Sequence, residues 1–305
     1  MTTTAPLPRW KVWALAARPK TLPAAAAPVL VGVALAVEAG VFEPLAATCA
    51  LLGALLIQVG TNYANDYHDF VQGADTAARV GPMRVTQAGL VRPEETKRAA
   101  VVAFALAVLA GAYLMWRGGP PIVAVGALSL ACGWLYTAGP KSLAYLGIAD
   151  LFVLVFFGPV AVAGTFWVQA AGTAVGDELW PLAAVVGLGP GFLATAILLA
   201  NNIRDVEQDR VAHKRTLVVR FGRALGVGLY AAWALAAALV PVGVWMATGD
   251  HAGALFAAPV PLLLAGPLRT FQNTSDPARL NPLLGKTAGV LLLYSVVLAL
   301  GWVLG

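Results

Sequence analysis

Charge is what this chain lacks. Asp, Glu, Lys and Arg make up 11% of its 305 residues, against roughly 25% in a soluble globular domain. So little charge cannot cover a solvated surface, and a soluble protein is excluded. Disorder is excluded as well, because 59% of the residues are hydrophobic and disordered chains are poor in them. Cysteine is nearly absent: Cys49 and Cys132 both fall in apolar stretches, which leaves no disulfide framework and no CxxC metal site. The three histidines, His68, His213 and His251, are never paired at metal-ligand spacing. There is no GxSxG, no P-loop and no dinucleotide fingerprint. The net charge of +5 does not indicate a nucleic-acid partner, because its distribution follows a different logic.

What is abundant is apolar sequence in long runs. At ~1.5 Å per residue, about 20 helical residues cross a ~30 Å hydrocarbon core. Apolar runs separated by charged or Pro/Gly-rich breaks predict nine spans, at roughly 22–39, 45–64, 98–116, 120–138, 146–168, 180–200, 224–247, 252–268 and 286–304. The first is too long for a signal peptide and lacks a cleavage site, so it counts as a span. The expected fold class is therefore all-α: one polytopic membrane domain, a bundle of nine transmembrane helices embedded in membrane lipid. With nine spans, every one of the 20 lysines and arginines except Arg117 falls on one side. The positive-inside rule makes that side cytoplasmic and predicts a plasma-membrane protein with its N-terminus inside and its C-terminus outside. Trp116, Trp167, Trp180, Trp245 and Trp302 then fall near the outer ends of their spans, as an interfacial aromatic belt does.

The two longest inner connections are organised alike. The first runs through Asn62, Asn65, Asp66, Asp69 and Asp75 to Arg79 and Arg84; the second through Asn201, Asn202, Arg204, Asp205 and Asp209 to Lys214 and Arg215. They lie four spans apart, which predicts a weak parallel repeat, roughly 22–138 and 146–268, with 286–304 as an added last helix. Asn62, Asp66 and Asp69 stand at i, i+4 and i+7, and Asn201, Asp205 and Asp209 at i, i+4 and i+8, so each set is expected on one helix face. Carboxylates so spaced repel unless a cation lies between them. Oxygen ligands that leave open positions suit Mg2+, completed by substrate phosphates, with the basic residues taking the remaining phosphate oxygens. Two other readings exist: acid–base pairing in a solvated loop, and an ion pathway, for which charge would be expected near the span centres. A secondary transporter would need the same midplane charge, and these span centres largely lack it. Asp150 is the main exception, and either pairs with Lys141 or seats a substrate.

At these residues the chain resembles the UbiA superfamily of intramembrane aromatic prenyltransferases. The similar stretches are ARPKTLPAAAAPVLVG from Ala17 to Gly32, NYANDYHDFVQGADT from Asn62 to Thr76, RVGPMR from Arg79 to Arg84, NNIRDVEQD from Asn201 to Asp209, and HKRT from His213 to Thr216. The similarity is greatest to the branch that prenylates 1,4-dihydroxy-2-naphthoate; the same chemistry on 4-hydroxybenzoate or homogentisate is the alternative. The resemblance implies two aspartate-rich cytoplasmic loops on a nine-helix bundle, with Asp66, Asp69, Asp205 and Asp209 as catalytic Mg2+ ligands and a polyprenyl diphosphate as donor. Asn62, Asn65, Arg79, Arg84, Asn201, Asn202, Lys214, Arg215, Lys141 and Asp150 are the expected substrate-binding residues. The superfamily usually has a third aspartate four residues after the second, where this chain has Gly73; Asp75, two residues further on, is the candidate fifth metal ligand.

A reporter fused after Gly305 should read out on the extracytoplasmic side. A cytoplasmic readout would contradict the odd number of spans.

Overall fold

The computed structural model describes residues 7–73, 81, 83–139 and 142–305. Among these residues there is no strand, and eight helical stretches are long and apolar enough to cross a membrane. In chain order the helices are α1 (Arg9–Ala16), α2 (Leu22–Glu38), α3 (Pro44–Val71), α4 (Pro93–Leu135), α5 (Leu143–Leu146), α6 (Ala149–Phe156), α7 (Pro159–Gln169), α8 (Ala174–Arg204), α9 (Val206–Val211), α10 (Leu217–Phe221), α11 (Arg223–Thr248), α12 (Ala265–Asn273) and α13 (Pro277–Leu304). Two 3-10 segments, Ala252–Ala257 and Val260–Leu264, lead into α12.

α4 is where the count of eight and the expected nine diverge. Its 43 residues would span about 65 Å if straight, twice the hydrocarbon thickness. It is not straight. Gly119 has φ 69°, ψ −160°, a conformation open to glycine, and Pro120 and Pro121 follow it. Phe104 and Trp134, 15 residues to either side of Gly119, bring their ring centroids within 6.3 Å. On a continuous helix they would lie about 45 Å apart. α4 is therefore two antiparallel arms, and α3 packs along both: a Cβ on Gly133 of the second arm would meet Thr61 of α3 and Phe104 of the first arm.

α8 is the most buried of the long helices and α2 and α13 follow, whereas α3, α4 and α11 have fewer buried residues. Close approach rather than bulk makes α8 central. Gly158 ahead of α7 meets Gly187 and Gly191 of α8 so closely that a Cβ on Gly187 would lie 2.8 Å from the Gly158 carbonyl oxygen, small-residue packing of the membrane type. The core spans α2, α7, α8, α11 and α13, and its two buried tyrosines are satisfied across helices: Tyr230 shares a hydrogen bond with Thr287 (2.7 Å), and Tyr294 donates to the Ala237 carbonyl (2.9 Å).

The end of the bundle away from the aspartates is tied by Arg117, the one basic residue expected there. Its guanidinium donates to the last carbonyls of α7, Val168 (2.6 Å) and Gln169 (2.9 Å), so it caps a helix C-terminus instead of facing solvent. Glu43 caps α3 by accepting from the Leu45 and Ala46 amides, and also accepts from the Tyr113 hydroxyl. The belt reading fits Trp116, which is largely exposed, but not Trp302, which is buried and stacked on His251 at 3.9 Å. Trp167 donates its indole N–H to the Gly118 carbonyl, so it is also part of the tie.

With Cys49 and Cys132 replaced, a Phe104→Cys/Trp134→Cys pair should cross-link with a short bifunctional thiol reagent, as the reversal at Gly119 requires. Failure to cross-link under conditions that label both thiols singly would contradict it.

Candidate active site

The aspartates sit on helix ends. α3 stays helical to Val71, so Asn62, Asn65, Asp66 and Asp69 share its inner side, and all four are buried. The second set keeps its helical spacing across one kink: the Asp205 amide donates to the Asn201 carbonyl and the Asp209 amide to the Asp205 carbonyl, at 3.0 and 2.8 Å. α8 ends at Arg204, and Asp205 (φ −95°, ψ 9°) breaks the helix before α9 begins. The reason is local: Arg204 donates to both Asp205 carboxylate oxygens, at 2.7 and 2.6 Å, and to Asn201 Oδ1 at 2.6 Å. Asp209 then follows on a separate short helix.

Asp69 joins the two motifs. Arg84 approaches one of its oxygens at 3.0 Å, and Lys214, from the second motif, approaches the other at 3.0 Å. Burial works to lower the Lys214 ammonium, but the Asp69 and Asp209 carboxylates outweigh it and hold it above the usual lysine range, so Lys214 is charged at neutral pH. Arg84 is held in place by a small apolar cluster in which Val85 and Val91 of its segment pack on Val12 and Ala16 of α1. The same segment brings Thr86 to Asp66, whose Oδ2 accepts from the Thr86 hydroxyl at 3.2 Å. Asp66 Oδ1 is buried with no hydrogen-bond partner.

The asparagines are partly committed to structure. Asn62 donates to the Ala17 carbonyl (2.8 Å) and to Thr21 Oγ1 (3.1 Å), tying α3 to the turn between α1 and α2. Asn65 Oδ1 accepts from Thr137 (2.8 Å). Asn202 is buried near the end of α8. Arg215 is exposed; it lines a shallow outer depression, with only Lys214 lining both that depression and the inner cavity. Asp75, Arg79 and Lys141 lie outside the described residues.

A cavity of about 790 Å³ runs inward from these groups. Its polar end includes Asp69, Arg84, Arg204, Asp205, Asp209 and Lys214; further in, it is walled by side chains such as Ile57, Val108, Leu114, Phe152 and Phe157. Asp150 lines the polar part, buried, with Oδ1 unpartnered. Three further wall residues were not singled out from sequence: Arg18, Tyr136 and Thr137. Burial, with Asp150, Asp209 and Asp69 nearby, pushes the Tyr136 phenol above the ordinary tyrosine range. Arg18 was legible in principle, since it sits inside the ARPKT stretch. Among the described residues no three carboxylate, histidine or cysteine side chains converge on one point; Asp69 and Asp205 are paired with cations of the chain itself.

An apolar helical bundle with an amphiphilic cavity, charged at the helix ends and greasy within, defines a polytopic membrane protein. The UbiA prenyltransferase family model matches residues 25–284, and the chain belongs to that family. It is 36% identical over 301 residues to the 1,4-dihydroxy-2-naphthoate octaprenyltransferase of Escherichia coli K12, covering 96% of this chain and 95% of that protein. To the Mycobacterium tuberculosis H37Rv protein of the same name it is 38% identical, with 94% and 95% covered. The fold is shared with a UbiA homolog from Aeropyrum pernix K1 (TM-score 0.65, 14% identity, 92% and 95% covered). It is also shared with an Archaeoglobus fulgidus UbiA homolog solved with GPP and Mg2+ (TM-score 0.62, 16% identity, 94% and 99% covered).

Asp69→Asn leaves Arg84 buried without its carboxylate and weakens the hold on Lys214. Removing one partner of a buried ion pair costs about 3–5 kcal/mol, so thermal unfolding in detergent should fall clearly. Arg210→Ala, which removes an exposed pair with Glu207, should leave it nearly unchanged. Equal melting of the two variants would contradict the central place given to Asp69.

Proposed function

We propose that this protein transfers a polyprenyl chain from its diphosphate to 1,4-dihydroxy-2-naphthoate, with loss of the carboxylate as CO2, giving a demethylmenaquinone-type product. The observation that carries this reading is the cavity, which joins a cluster of acids and bases to a long apolar interior. The naphthoate acceptor rests on the near full-length similarity to the curated relatives.

The donor set fits Mg2+. All the acids present are oxygen ligands, and Asp66 Oδ1 is buried without a partner; hard cations that keep open positions for phosphate favour such a set. Asp66, Asp69, Asp205 and Asp209 would hold the metal, which when bound supplies charge neutralisation for the departing diphosphate. The chain's own side chains do the rest. Lys214, Arg84 and Arg204 line the polar end and donate charge-assisted hydrogen bonds to diphosphate oxygens. The apolar wall orients the prenyl tail and keeps water from the allylic cation until the electron-rich ring attacks it. The two arms of α4 count as separate crossings, so we take the bundle as nine crossings in the plasma membrane. The basic end is then cytoplasmic and the C-terminus outside, in keeping with the distribution of lysine and arginine.

Purified protein given Mg2+, a labelled prenyl diphosphate and a panel of aromatic acids should form a product only with the naphthoate, at the mass of acceptor plus prenyl minus CO2. Chelation should abolish turnover and Mg2+ restore it. Asp205→Ala should lower it by on the order of 100-fold or more, the scale of losing one electrostatic stabiliser of a transition state. A product that keeps the carboxylate, or a preference for 4-hydroxybenzoate, would overturn the acceptor; full activity in chelator would overturn the metal.

A further inference from the structure

Asp150 is a buried acid for which the diphosphate site has no use. It is 7% exposed and lines the cavity at the start of α6. Its Oδ1 has no hydrogen-bond partner, and no ion pair is formed by it among the described residues. Arg84, Lys214 and Arg204 are engaged by Asp69 and Asp205. A buried carboxylate at a cavity wall with one oxygen unpartnered is costly to keep, unless a ligand brings the missing donor. Below it on the same short helix stand Phe152 and Phe156, stacked with centroids 6.1 Å apart. Phe157 follows, and all three also line the cavity. An aromatic wall beside an acid that forms no ion pair among the described residues matches a flat ring bearing a hydroxyl.

We propose that Asp150 is the base that takes the proton of the acceptor's ring hydroxyl during prenyl transfer; this rests on the hydroxynaphthoate reading above. The allylic C–O bond of the donor breaks with its electron pair leaving on diphosphate. The ring carbon that bears the carboxylate forms the new C–C bond to the allylic carbon. As it does so, the neighbouring hydroxyl becomes a carbonyl and its proton passes to Asp150. The intermediate is a β-keto carboxylate. Its C–CO2 bond breaks, the electron pair restores the aromatic ring through the carbonyl oxygen, and that oxygen takes the proton back from Asp150. CO2, diphosphate and the prenylated diol leave, and Asp150 ends as it began, so no external base or oxidant is needed.

The test compares wild type with Asp150→Asn, which keeps the shape but cannot accept the proton at neutral pH. Wild-type turnover with the naphthoate is measured first; if it is absent, the acceptor reading fails and not the base. Given turnover, Asp150→Asn should lose about 10²- to 10⁴-fold in kcat, the range of general-base catalysis, with the KM for prenyl diphosphate unchanged and Asp150→Glu partly active. With the acceptor's adjacent hydroxyl replaced by methoxy, wild type and Asp150→Asn should be equally slow, since no proton is there to take. Near-wild-type kcat in Asp150→Asn would overturn the proposal, as would a raised acceptor KM with kcat intact. Should Asp150→Asn fail to fold, rapid wild-type turnover of the methoxy acceptor would overturn it alone.

Discussion

A carboxylate buried at the end of a membrane helix has to be neutralised. Asp69 is neutralised from both sides, by Arg84 on the segment that follows α3 and by Lys214 from 145 residues further along the chain. Two ion pairs at 3.0 Å thereby fasten the two motifs to each other. The cost of burying so many charges is recovered only when each has a partner. On the function proposed above, bringing diphosphate and metal into the same end would be an exchange: the acids would pass from ammonium and guanidinium to metal, and the cations from carboxylate to phosphate. Net charge at the site changes little in such an exchange, which is what a low-dielectric pocket demands.

The rest of the bundle gives that charged end a fixed floor and a greasy interior. Glycine contacts between α8 and the start of α7 set the central helix that delivers Arg204 and Asp205. Asn62, held by Ala17 and Thr21, fixes α3 against the chain that leads into α2. At the opposite end Arg117, Glu43 and Trp167 join α3, α4 and α7, so these elements are tied away from the aspartates as well.

Much of this was legible as sequence, and the exceptions have physical reasons. The i, i+4, i+7 spacing placed Asn62, Asp66 and Asp69 on one side of a helix, and α3 is helical throughout that stretch. The same spacing brought Asn201, Asp205 and Asp209 to one cavity, though not on one unbroken helix. Spacing cannot register that an arginine next to an aspartate clamps it and breaks the helix at Asp205. Gly119 followed by two prolines marked the break between the expected spans 98–116 and 120–138, and the chain reverses there. Tryptophan at a span end reads as belt, but for Trp302 the neighbouring His251 turned it inward. Thr86, Tyr136 and Thr137 could not be picked out, because their roles arise only from contacts across many residues. The pairing of Asp69 with Lys214 belongs to the same class.

Equilibrium binding of an unreactive prenyl diphosphate analogue, with and without Mg2+, tests the exchange of partners most directly. The account predicts that Mg2+ tightens the analogue at least about tenfold, a difference of 1.4 kcal/mol, in wild type and not in Asp69→Asn or Asp205→Asn. Equal affinity with and without the metal in wild type, or an undiminished metal effect in both variants, would contradict it.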